Sequence, residues 1–159
     1  MKKLIFLLTA TSFSAHLFAY PISPRPLRKL IVESEYIVWA RVLNVGSIKS
    51  TKKNENIWEK DFALIVITEL LQGKLQTDTI RVYFCSGMIC PAPGVLFKNE
   101  EALIFLDKRE KMEGYEVHAL SYGVKHGLNQ DEYETYKSRI KEMQTILKTY
   151  NKKNVVIWF

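Results

Sequence analysis

Cys85 and Cys90 are the two cysteines of this chain, and they bracket Ser86-Gly87-Met88-Ile89. At so short a spacing, in an oxidising compartment, they read first as a disulfide that staples the segment from Cys85 to Gly94, itself stiffened by Pro91 and Pro93. The chain-entropy contribution of so small a loop is about 2 kcal/mol, so the bridge would shape a loop and leave the fold to other forces. Two sharper chemistries use the same residues. Cys85, Met88 and Cys90 form a sulfur set of the kind that holds Cu(I), and a dithiol pair can carry redox exchange. The first lacks a flanking histidine, and the second departs from the two-residue spacing of oxidoreductases. His118 and His126 lie eight positions apart in segments of different character, without an HExxH or paired CxxC motif, so no zinc site is expected. Ser86-Gly87 lacks the neighbours of a nucleophile elbow, and no Gly-rich phosphate loop is present. These absences point away from an enzyme and imply no metal or cofactor.

The compartment follows from the first residues. Lys2 and Lys3 precede an apolar stretch opened by Leu4 to Leu8, and small residues lead to Ala19. This is the secretory pattern, too short for a membrane span, with cleavage expected after Ala19 and a single domain over 20–159. Removal of residues 1–19 takes away two lysines and no acid, lowering the formal charge from +6 to +4. That mild lean favours solubility and not nucleic-acid binding, and the basic cluster Lys49-Ser50-Thr51-Lys52-Lys53 reads as a solvated loop. The expected location is the bacterial periplasm or the secreted fraction. With 47% apolar and 25% charged residues the chain is globular, and the apolar run Phe62 to Leu71 is too short for a second transmembrane segment.

Five strands and two helices must position these groups. Leu27, Leu30 and Ile31 after Pro26 predict a short helix over 26–34. Strands are expected at Tyr36–Val45, Asp61–Leu71, Thr79–Phe84, Ala102–Leu106 and Tyr115–Leu120. In the second strand, Phe62, Leu64 and Val66 alternate with Ala63, Ile65 and Ile67, which predicts apolar cover on both faces. In the third, Ile80, Val82 and Phe84 face inward and Arg81 and Tyr83 outward. Asn129 and Glu132 form a capping box for a final helix. Its residues Tyr133, Tyr136, Ile140, Met143, Leu147 and Tyr150 share one stripe that fits docking on the sheet better than a coiled coil, so a monomer is expected. The closing run Val155 to Phe159 reads as a short strand docked on the domain. The fold class is mainly β (α+β): a five-stranded antiparallel OB-like barrel between a short N-terminal and a long C-terminal amphipathic helix.

Within that frame the chain resembles the secreted netrin-module proteins, the family that includes the tissue inhibitors of metalloproteinases. The resemblance rests on the strand Ser34-Glu35-Tyr36-Ile37-Val38-Trp39-Ala40-Arg41-Val42 and the strand end Ile67-Thr68-Glu69-Leu70-Leu71-Gln72-Gly73. It implies an exported barrel used as a binding module. The family's inhibitors chelate zinc through an N-terminal cysteine, whereas this mature chain would begin with Tyr20, so the resemblance carries no functional residue across. Trp58, Tyr83 and Tyr115 are expected to share an exposed aromatic face, with Met88 on the adjoining disulfide-shaped loop, for a protein or cell-envelope ligand. Two alternatives stand beside this one: a protease inhibitor acting through loop 85–94, and a soft-metal-binding or enzymatic protein.

Overall fold

The computed structural model describes residues 25–48, 61–87, 92–110 and 113–149. The expected signal segment, Trp58, Met88, Cys90, Tyr150 and the run 155–159 lie outside the described residues.

Alternating side chains build the barrel. In β1 (Tyr36–Ser47), Val38, Ala40 and Val42 turn into the interior with Ala63 and Ile65 of β2 (Asp61–Gln72). Ile80, Val82 and Phe84 of β3 (Thr79–Phe84) join them, as do Ala102, Ile104 and Leu106 of β4 (Glu101–Lys108). The fifth barrel strand, β5, is Tyr115–Val117. The strands follow the order β1-β2-β3-β5-β4, and β4 returns to β1 to close the cylinder. Every barrel pairing is antiparallel except β3 with β5, which is parallel and joins only Val82 to Tyr115 and Tyr83 to Glu116. β1 serves two neighbours, β4 over Tyr36–Arg41 and β2 along its whole length. Register shifts after Ile37, Trp39 and Val42 let it bend from one to the other.

A second core lies outside the barrel. Ile37 of β1 and Leu103 and Phe105 of β4 point away from the interior into a cluster with Leu30 and Ile31 of α1 (Leu27–Glu33) and Ile140 of α2 (Gln130–Thr149). The capping box forms as the residue types demand: the Glu132 N–H donates to Asn129 Oδ1 at 2.9 Å, and the Asn129 N–H donates to Glu132 Oε2 at 3.0 Å. The α2 stripe is the one the periodicity predicts, with Tyr133 and Ile140 buried and Tyr136, Met143 and Leu147 half-buried. Gln144 Nε2 donates to the Leu71 carbonyl at 2.9 Å, and Gln72 Nε2 donates to the carbonyls of Ile31 and Ser34, tying both helices to the end of β2.

Two expectations are corrected. The fifth strand stops at Val117, not Leu120. Ala119 and Leu120 adopt left-handed backbone (φ 55 and 58), and the chain makes a 3-10 turn at Leu120–Gly123. It then pairs with β4 again as β6 (Val124–His126), a strand that the five expected from the sequence do not include. The outer face of β2 is also less covered than its apolar pattern predicts. Phe62, Leu64 and Val66 are only half-buried, because the helices reach the other end of the strand.

Candidate binding groove

Tyr36 begins β1 and Tyr115 begins β5, and their rings meet edge to face with centroids 5.2 Å apart at the lower end of the barrel. They line a groove of about 750 Å³ with Tyr83, Leu64, Lys74, Thr79, Arg81 and Lys108. That size lies within the range of clefts that hold ligands, about 300–1,000 Å³. Two glycines make the close packing possible. Gly73 (φ +94) lies so near the Tyr36 ring that a Cβ would strike it, and a Cβ on Gly114 (φ +131) would lie 2.6 Å from Tyr83 Cε2.

The groove is electropositive. Lys74 and Arg81 are exposed, and neither they nor Lys108 pairs with a carboxylate among the described residues. Glu113, on the opposing hairpin, is the acid of the lining. Arg81 carries its guanidinium over the Phe62 ring at 5.0 Å, which holds the charge at the surface. Burial, followed by the neighbouring Tyr36 and Glu35, pushes the Tyr115 phenol above its usual range, so it remains a hydrogen-bond donor at neutral pH.

The residues singled out from sequence separate here. Tyr83 and Tyr115 are brought into one groove, but Tyr83 is buried (6% exposed) beneath the Arg109 guanidinium, 4.5 Å from its ring centroid. It is a wall, and Tyr36 takes the more open position. Cys85 is buried at the end of β3. Its proposed bridge to Cys90, like the places of Met88 and Trp58, falls outside the described residues. No family model matches the chain. A search of the curated proteins also finds no match.

Two polar clusters elsewhere are spent on structure. Asp61, 8% exposed, accepts hydrogen bonds from Ser47 Oγ at 2.6 Å and from the Ser86 N–H and Oγ at 2.9 and 2.6 Å, fastening β1, β2 and the end of β3 together. His118, expected on a strand face, sits in the turn after β5. Its Nδ1 donates to Asp107 Oδ2 at 2.6 Å, while its Nε2 lies 3.6 Å from Glu33, which Arg25 also pairs. The Asp107 bond raises the His118 pKa against the opposing effect of burial, aided by the charges of Asp107 and Glu33. A larger cleft, about 1010 Å³, follows the seam between both helices and the end of β2. The amides of Gln72 and Gln144 that line it are engaged in the interhelical ties, and the buried Ser34 Oγ has no hydrogen-bond partner.

Sequence reasoning noted Arg81 as an outward position but did not single out Lys74 or Lys108. Their signal is weak, because Lys74 is a lone cation beside a turn and Lys108 sits in the mixed-charge run Asp107 to Lys111, and only barrel closure unites them.

Proposed function

We propose that the chain is an exported, non-enzymatic binding module of the periplasm or secreted fraction, similar in design to netrin-type barrels. The groove between β3 and β5 is its ligand site. One observation carries the reading: Tyr36 and Tyr115, gathered from distant parts of the chain, share a cleft with Lys74, Arg81 and Lys108, three cations without a carboxylate partner among the described residues. Unpaired cations around aromatic rings suit an anionic ligand, and a protein or cell-envelope component meets that description. A Cys85–Cys90 bridge, part of the same proposal, would close a loop that starts at Cys85, at the opposite end of β3 from Thr79.

The test is capture from an envelope extract on the immobilised protein and on a variant combining Lys74→Glu, Arg81→Glu and Lys108→Glu. A partner held by the first and lost by the second supports the site. A partner held equally by both removes it.

A further inference from the structure

We infer that the groove takes an extended acidic peptide segment, added as a strand along the open edge of β3. The inference rests on the binding-site reading above and adds to it the class of partner.

The hydrogen-bond phase of β3 supplies the argument. The Ile67 N–H donates to the Asp78 carbonyl at 2.7 Å, and Val66 stands opposite Thr79. In an antiparallel ladder alternate residues turn their N–H and C=O to the same neighbour. Asp78, Ile80 and Val82 therefore face β2, and Thr79 and Arg81 face the other way. On that side β5 begins only opposite Val82, so N-terminal to it β3 has no strand neighbour among the described residues. The Thr79 carbonyl accepts from the hydroxyl of Thr77 at 3.0 Å, a side chain standing where a strand would be. The N–H groups of Thr79 and Arg81 thus turn toward the groove already described, which Lys74, Arg81 and Lys108 also line and where Gly114 borders the Arg81 carbonyl.

A polypeptide matches this arrangement better than a glycan. Its carbonyls recur every second residue along one edge, the repeat at which Thr79 and Arg81 present their donors. Carboxylate side chains on the same segment meet Lys74, Arg81 and Lys108, whereas a basic segment would place like charges together. The Tyr36 and Tyr115 rings offer an apolar floor for its remaining side chains.

The experiment titrates the full-length protein with an end-blocked peptide of alternating Glu and Val, followed by amide NMR and calorimetry. Two N-methylated versions, one modified at the Glu positions and one at the Val positions, accompany it, together with a Lys-for-Glu peptide and polyglucuronate. The Glu–Val peptide is expected to shift the Thr79 and Arg81 amides, and the Lys–Val peptide to leave them unmoved. One N-methylated series, whose methyl groups point at the β3 edge and keep the peptide from approaching it, should bind about 10-fold or more weakly, while the other binds like the parent. Equal binding of both series overturns the added strand and leaves the groove standing. Binding of polyglucuronate without the peptide does the same. If no anionic probe moves a groove residue, the inference and the binding-site reading fall together.

Discussion

The wall formed by β1 and β4 and the wall formed by β3 and the start of β2 share one barrel interior and differ in what lies outside. On the first, Ile37, Leu103 and Phe105 are fully buried beneath both helices. On the second, Phe62, Leu64 and Val66 are half-buried, Thr79 and Arg81 are exposed, and one edge of β3 has no strand neighbour before Val82 among the described residues. The covered wall combines two cores and carries the stability. Among the described residues the open wall packs chiefly toward the barrel interior.

The sharpest way to break this contrast is truncation on each side. Phe105→Ala should cost about 3–5 kcal/mol in chemical denaturation, because it empties the cluster beneath the helices. Leu64→Ala, at a half-buried outer position, should cost under about 1.5 kcal/mol. Equal costs would mean that the two walls are loaded alike.

A smaller effect tests how the helix is held to its wall. Tyr133 stacks on Trp39 with ring centroids 4.4 Å apart, and its hydroxyl donates to Glu69 Oε2 at 2.5 Å, an oxygen that Lys137 also reaches at 2.8 Å. Tyr133→Phe keeps the stack and removes the hydroxyl, so its loss should be about 1 kcal/mol given the partial exposure of Glu69. A variant as stable as the parent would show that the Tyr133 hydroxyl adds nothing to the docking of α2.

The pH dependence of the covered wall is set partly by His118. Its folded pKa is raised above 6.5 by Asp107, so its stabilisation is fully present below 6.5 and lost as pH rises through the folded value. Measured upward from mildly acid solution, the melting temperature of the parent should fall more than that of His118→Asn. Parallel curves would remove His118 from the account. At the open wall, Lys74→Glu and Lys108→Glu should each change stability by less than about 0.5 kcal/mol, since neither side chain makes an ion pair among the described residues.

Much of the covered wall is legible in the sequence because its signals are local. The Asn129–Glu132 capping box and the stripe from Tyr133 to Leu147 lie within one segment; at the open wall only the period-two pattern of Ile80, Val82 and Phe84 in β3 is as local. The open wall depends on contacts between distant residues. The break after Val117 follows from left-handed backbone at Ala119 and Leu120 and from tight packing, where a Cβ on Gly123 would strike the His118 carbonyl. No local propensity in Tyr115–Leu120 announces it. The groove needs Tyr36, Lys74, Arg81, Lys108 and Tyr115 together, and only barrel closure brings them there. Tyr83 misled for the same reason: its outward parity is right, but Arg109 and Gly114 arrive from another hairpin to cover it.

Amide hydrogen exchange tests the division most directly. Val38 and Ile104, paired across β1 and β4, should exchange only with global unfolding, whereas the Thr79 and Arg81 amides should exchange orders of magnitude faster under native conditions. Protection at Thr79 and Arg81 equal to that of Val38 would show the β3 edge to be closed, and the contrast between the walls would not hold.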